Sequence, residues 1–322
     1  MNRKTFIRTG MLLVPIPLFG NIKKETIMLD TAIIGGASAG LAAAMTLGRS
    51  ARKAIVFDTA EPRNRPAAHA HNFLTQDGTP PSEILAIGRR QLQQYPSVQI
   101  EQDKVISATK SGVHFRLETA SGKQITARSI ILATGVKDIL PDIEGVEKLW
   151  GNRVVHCPYC HGWEMRNQPV AIIANGEDAL HLVPMVHNLN KDIVILTNGK
   201  STIPEKLPVP VIEKNIRRME EEGEGIKITF ADGSTLLKAG AYLRVAGLRF
   251  HTALAEQLGC ELTEAGSVKV DAMYQTTVPN VFAAGDVSHP GHHQVSMAVA
   301  GGHMAGAACN RVLCVEDFER LK

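Results

Sequence analysis

Aromatic residues are scarce, at 5% of 322 residues, which argues against the stacking platform on which single-stranded nucleic acid is gripped. An excess of one charge is also missing. The formal net charge is only +3, with lysine and arginine scattered along the chain, so no basic face points to nucleic acid. The one apolar stretch near the N-terminus, Met11 to Phe19, is broken by Pro15 and Pro17 and is too short to cross a bilayer. There are five cysteines, and no second Cys/His pair stands where it could complete a four-ligand zinc site. What remains is ordinary for a soluble protein: 44% hydrophobic and 21% charged residues, with room for two domains and a large core.

Residues 1–27 differ from the rest. Arg3, Lys4 and Arg8 precede the apolar stretch, and Arg3-Lys4-Thr5-Phe6-Ile7 looks like a weakened twin-arginine export signal. No small-x-small cleavage site follows; Gly20-Asn21-Ile22 is a poor substitute. Export is therefore the slightly favoured expectation over a cytoplasmic chain that starts at Met28.

After this segment strand and helix patterns become readable. Thr31-Ala32-Ile33-Ile34 is an apolar run, Gly35-Gly36-Ala37-Ser38-Ala39-Gly40 follows, and Leu41-Ala42-Ala43-Ala44-Met45 begins a strong helix. Gly35, Ala37 and Gly40 occupy the G-x-G-x-x-G places of a strand-turn-helix phosphate site, whose helix start offers N–H groups and partial positive charge. A second strand, Ala54-Ile55-Val56-Phe57, ends at Asp58, where an acid should hydrogen-bond ribose hydroxyls. Ile130-Ile131-Leu132-Ala133-Thr134-Gly135 and Asn280-Val281-Phe282-Ala283-Ala284-Gly285-Asp286 are further buried strands closing on glycine, the second followed by a helix from Gln294.

Between those strands Val170-Ala171-Ile172-Ile173 opens another βαβ unit, with Pro184 expected to kink or shorten its helix. The fold expected is α/β: two Rossmann-like dinucleotide-binding domains, the second inserted into the first. The predicted boundaries are 28–139 and 276–322 for the discontinuous first domain and 140–275 for the insert. Cys260, Cys309 and Cys314 sit in apolar surroundings and read as buried thiols.

Cys157-Pro158-Tyr159-Cys160-His161-Gly162 lies at the start of the insert. Such a pair closes a small ring and tends to keep one thiol ionised near neutral pH, so it reads as a redox relay between a flavin and another thiol. A purely structural disulfide would stabilise little, because the loop it closes is short. The letters also fit c-type haem attachment, but the β-rich flanks offer neither a helical haem domain nor an axial partner.

These residues together resemble the low-molecular-weight thioredoxin reductases, from about Met28 to Val312. The signatures are Gly35 to Gly40, Ala133-Thr134-Gly135, Cys157-Pro158-Tyr159-Cys160 and Val281-Phe282-Ala283-Ala284-Gly285-Asp286-Val287. Within that family, Cys-x-x-Cys-His-Gly completed by Trp163 and Glu164 is similar to the branch of gliotoxin-type dithiol oxidases. Pro62-Arg63-Asn64 and the stretch His69 to Gly78 fit that branch too. The resemblance implies FAD in the first domain, with Asp58, Asp286 and the Gln294 and Val295 amides in contact with it. It implies that Cys160 faces the flavin and that Cys157 exchanges with the partner. His161 stands where the reductases carry an acid/base aspartate, so it is a candidate proton carrier; the alternative is that it only caps the local helix. His156 reads as structural, and His292 and His293 lie in a loop expected near the flavin. Homodimers are usual in this group.

The insert departs from the pattern. Its turn reads Ala174-Asn175-Gly176-Glu177-Asp178-Ala179, without the first glycine. After the next strand, Thr197-Asn198-Gly199-Lys200 offers one lysine where an NADPH site would carry arginines. Two enzyme readings stay open. NADPH could reduce FAD, the disulfide and then a thioredoxin-like protein; or a small dithiol could reduce the disulfide, then FAD and an acceptor, without NADPH. A non-catalytic flavin sensor is the third reading.

Overall fold

The computed structural model describes residues 27–322; the signal-like segment expected over residues 1–27 lies outside them, save for the backbone of Ile27. The first domain begins with β1 (Ile27–Ile34), α1 (Ser38–Arg49), β2 (Ala54–Phe57), α2 (Pro81–Leu92), β3 (Val98–Glu101), β4 (Val105–Ser111), β5 (His114–Thr119) and β6 (Gln124–Leu132). They form a sheet in the order β3-β2-β1-β6-β5-β4. β1 runs parallel to β2 and β6, while β4, β5 and the first part of β6 make an antiparallel meander. Ala32 and Ile34 pack into one core and Ile33 into the other. A strand covered on both faces is therefore an unbroken apolar run.

β7 (Val136–Ile139) leads out of this sheet into the insert, which comprises α3 (Val146–Leu149), β8 (Val154–Val155), α4 (Pro158–His161), β9 (Val170–Ile173), α5 (Gly176–Leu189), β10 (Ile193–Leu196), β11 (Val211–Ile212), β12 (Ile216–Glu222), β13 (Gly225–Phe230), β14 (Thr235–Lys238) and β15 (Gly240–Leu243). A parallel sheet, β11-β10-β9-β15-β8, stands beside an antiparallel one, β12-β13-β14. α5 runs through Pro184 to Leu189, so the proline does not shorten it.

The way back lies earlier than the sequence suggests. β16 (Gly247–Phe250) pairs antiparallel with β7, so outgoing and returning chain form one two-stranded crossing. α6 (Ala253–Gln257) follows, and Leu254, Ala255, Leu258, Cys260 and Val268 pack in the same core as Leu29, Ile34 and Val281. The insert thus ends at the crossing and not at residue 275; the residues between carry scattered apolar positions and no strand-turn-helix pattern to reveal their allegiance. β17 (Val281–Ala283) then lies parallel to the second part of β6, on the edge whose first part holds β5.

α7 (Val295–Glu319) closes the fold against α1. The approach is close enough that a Cβ on Gly302 would strike the Ala39 carbonyl; small residues there let the two backbones meet. Cys260 and Cys309 are buried as expected, but Cys314 is exposed. Its neighbour Leu313 faces the core, and one residue further the helix has turned Cys314 outward. Among the described residues, no helix is long and apolar enough to cross a membrane.

Candidate functional site

A cavity lies at the carboxyl edge of the first sheet and reaches the insert. Gly35 holds a positive φ of 111°, and a Cβ there would run into the Ala133 carbonyl; only glycine lets this turn sit against the end of β6. Gly36, Ala37, Ser38 and Ala39 line the cavity with it, and Gly40 is buried beneath, against the Gly35 carbonyl. The first turn of α1 carries no acidic residue, so its N-terminal amides face the cavity without a competing negative charge. From the other strand ends come Ala133, Thr134 and Gly135, then Gly285 and Asp286, and at the start of α7 Gln294 and Val295. Thr134 is fixed by donating to the His251 carbonyl at 2.7 Å.

Asp58 stands at the end of β2 as expected. Its Oδ1 accepts from the Gly36 amide at 3.2 Å, and Oδ2 pairs with Arg89 of α2. The second basic partner of the site is Arg63, from the loop after β2. It donates to Asp138 of β7 through Nε at 2.9 Å and Nη2 at 2.5 Å, and to Asp286 through Nη1 at 2.9 Å. Burial opposes its charge, yet the two carboxylates more than offset this and hold the guanidinium above its ordinary pKa. The sequence placed Arg63 in a family-like motif without a role. Its partners lie 75 and 223 residues away, a separation no spacing rule reads.

The cysteine pair meets this cavity from the insert side. Cys157 and Cys160 form a disulfide with Cα atoms 5.3 Å apart at the start of the short helix α4. Cys160 and His161 line the cavity, whereas Cys157 does not. The Gln294 side-chain amide donates to both sulfurs, at 3.3 Å to Cys160 and 3.6 Å to Cys157. A donor so placed favours the thiolate over the thiol. Tyr159 and Trp163 are largely exposed, and Arg166 lies 3.8 Å over the Trp163 ring.

His161 caps nothing: both ring nitrogens are buried without a hydrogen-bond partner. Burial pushes its pKa down, Glu164 works upward against this, and His71 adds to the depression. His156 also lines the cavity, stacked on Trp150 at 5.6 Å between centroids, and is pushed down to about 4, first by burial and then by the Arg63 charge. His293 lines the cavity and donates from Nε2 to the His289 carbonyl at 2.7 Å, while His292 stacks on His289 outside the lining. Among the described residues, no group of three or more His, Cys, Asp and Glu could hold a metal ion.

The implied FAD fits these residues. A turn whose glycine no Cβ can replace, helix N-termini at Ser38 and Val295, Asp58 at a strand end and orphaned imidazole nitrogens at the far wall are what such a group would satisfy.

The equivalent turn of the insert is closed by its own chain. The Asn175 Oδ1 accepts from Gly176 N at 2.9 Å and Thr202 N at 2.8 Å, and its Nδ2 donates to the Lys200 carbonyl at 2.9 Å. Glu177 and Asp178 occupy the first turn of α5, which opposes a phosphate there. Lys200 is exposed, and the contact it brings to this turn is its backbone carbonyl.

The whole arrangement has counterparts. The family described as pyridine nucleotide-disulphide oxidoreductase matches residues 29–302. The thioredoxin reductase tcpT of Claviceps purpurea is 33% identical over 309 residues, covering 90% of this chain and 95% of its own. Among solved structures, an oxidoreductase from Agrobacterium tumefaciens superposes with a TM-score of 0.83 at 36% identity, covering 90% of this chain and 99% of that one. HlmI superposes with a TM-score of 0.84 at 30% identity, covering 91% and 95%.

Proposed function

The chain belongs to the pyridine nucleotide-disulphide oxidoreductase family, whose thioredoxin reductase-like members are FAD-dependent enzymes, and on that premise we propose that it oxidises a small dithiol and uses no nicotinamide donor. The observation that carries this reading is the contrast between its two turns: the first is open to a cavity that Cys160 enters, the second is stitched by Asn175 and guarded by Glu177 and Asp178.

FAD, when bound, supplies the two-electron acceptor. Gly35 to Ala39 and the α1 N-terminus would hold its pyrophosphate and Asp58 its ribose, with Asp286, Gln294 and Val295 on the flavin side. Cys157, outside the cavity lining, exchanges with the substrate. A substrate thiolate attacks the Cys157 sulfur, the S–S bond breaks, and Cys160 leaves as a thiolate that Gln294 stabilises. The second substrate thiolate attacks the mixed disulfide and releases Cys157. His161 takes a proton from the incoming thiol.

An anaerobic titration of the oxidised-flavin absorption band tests this. Bleaching by dithiothreitol but not by NADPH or NADH, with colour restored by air, is expected. Rapid stoichiometric bleaching by NADPH would overturn the direction and favour an NADPH-dependent thioredoxin reductase, as the name of the Claviceps relative suggests. A wild-type chain that binds flavin yet turns over neither dithiol nor disulfide, with partner binding kept in a Cys157→Ser, Cys160→Ser chain, would favour the sensor reading. Two further parts of the proposal are a homodimer, checked by light scattering, and export directed by residues 1–27, checked by cell fractionation.

A further inference from the structure

Arg63 joins two carboxylates that come from distant parts of the chain, and it treats them differently. Its Nε donates to Asp138 Oδ2 at 2.9 Å and its Nη2 to Asp138 Oδ1 at 2.5 Å. Both oxygens of Asp138 are thereby occupied, and the two-point contact fixes the plane of the guanidinium. Nη1 is left to donate to Asp286 Oδ2 at 2.9 Å. Among the described residues, none donates a hydrogen bond to the other Asp286 oxygen, Oδ1. All three side chains line the cavity.

The two acids also stand on different supports. Asp138 belongs to β7, where the crossing sets it opposite Leu248 of β16, and its side chain is only 8% exposed. Asp286 lies beyond β17 in a single tight turn, Gly285–Ser288, which Gly285 enters with φ of 76°. Arg63 itself sits in the loop after β2, where the Arg65 amide bonds the Pro62 carbonyl at 3.0 Å and the Ala67 amide the Asn64 carbonyl at 3.1 Å. The paired strand thus offers an anchor. The carboxylate on the turn has rotamer freedom to lose, and Arg63 removes it before a ligand arrives.

We propose that Arg63 is a positioning residue for FAD: anchored on Asp138, it holds Asp286 by one oxygen and leaves the other for the cofactor. The inference goes beyond the thiol-oxidising reading and is independent of the direction of electron flow; it rests on the placement of Asp286 beside FAD. Asp138 has no oxygen left for a ligand, so its part is to orient Arg63. A lysine could neutralise either acid, but as a point charge on a flexible stem it could not bridge both in one plane. Direct attraction of a phosphate by the Arg63 charge is the competing account, and it needs neither acid.

The experiment is the dissociation constant of FAD, read from the rise of free-flavin fluorescence as the full-length holoenzyme is diluted. The variants are Arg63→Met, Arg63→Lys, Asp138→Asn, Asp286→Asn and the double variant Arg63→Met, Asp286→Asn. Circular dichroism and melting temperature identify folded protein. Arg63→Lys keeps the charge, and replaces Arg63→Met in both single and double variants if the latter does not fold. Each single substitution should weaken FAD about ten- to a hundredfold. In the Asp286→Asn background the change at Arg63 should cost less than about twofold more, because the two act as one unit. An Arg63 that only supports the fold would cost the same factor in both backgrounds, and direct phosphate contact would leave Asp138→Asn binding as tightly as the wild type. Either result would overturn the proposal, as would an Asp286→Asn chain with undiminished affinity. Rapid bleaching of the wild type by NADPH would overturn the direction proposed above and leave this inference standing.

Discussion

The two strand-turn-helix units of this chain share one backbone plan and have opposite chemistry. β1 and α1 meet in a turn that faces a cavity, and the first turn of α1 bears no acid. β9 and α5 meet in a turn whose polar groups are consumed by Asn175 and whose helix starts with Glu177 and Asp178. A Rossmann-like unit can therefore persist as architecture while the polar groups of its turn are bonded by its own chain. The apolar runs that build the sheet are independent of the few donors that bind a ligand.

Substitution at the first glycine position should break the contrast most severely. Gly35→Val is expected to leave the protein without flavin, since φ of 111° and the Ala133 carbonyl both reject a side chain. Ala174→Gly, at the matching place, should leave flavin content and dithiol turnover unchanged; absorbance of the purified proteins reads both.

Acid should separate the two regions next. His156, in the first cavity, has its pKa depressed to about 4, so an unfolded chain binds its proton below pH 6.5 before the folded one does. In the flavin-free protein this contribution is present above pH 6.5 and lost as pH falls towards 4, on the order of 3 kcal/mol in all. His156→Gln should flatten that part of a urea-stability profile; an unaltered slope would refute the assignment.

Removing single carboxylates sharpens the comparison further. Asp58→Ala deletes an acceptor and strands Arg89, so FAD affinity should fall about ten- to a hundredfold. Asp178→Ala should leave it alone, as flavin-fluorescence titration would reveal. The smallest effect expected is a gain. Asn175→Gly with Glu177→Gln and Asp178→Asn frees the second turn and removes two charges, each opposing phosphate by about 0.3–1 kcal/mol. Bleaching by NADPH should then rise roughly tenfold from a low level, and no rise would mean that the barrier lies elsewhere.

Much of this was legible in the residues. Continuous apolar runs located β1, β2, β6, β9, β10 and β17, and the Gly35 turn and Asp58 stand at strand ends as read. The limits are equally physical. Residues 253–275 join the first domain through Leu254, Leu258 and Val268; the four-residue spacing of the two leucines marks a single helical turn and says nothing of which domain it packs against. Arg63, Arg89 and His71 act through partners distant in sequence, so local pattern is blind to them. Ala174 marked the missing glycine in sequence, and only the bonds of its neighbour Asn175 in the fold reveal that this side chain seals the turn.

The seam between α1 and α7 has a consequence for the order of assembly. One wall of the cavity comes from residues 35–39 and another from residues 285–298, so it does not exist until almost the whole chain has been made. The insert, complete by β15 and holding its own cores, can collapse while the first domain waits for its last strand and helix, since domains tend to fold as they emerge. Cofactor capture thus waits for the last strand and helix, and a chain halted before Val281 would present the cysteine pair with no flavin to serve.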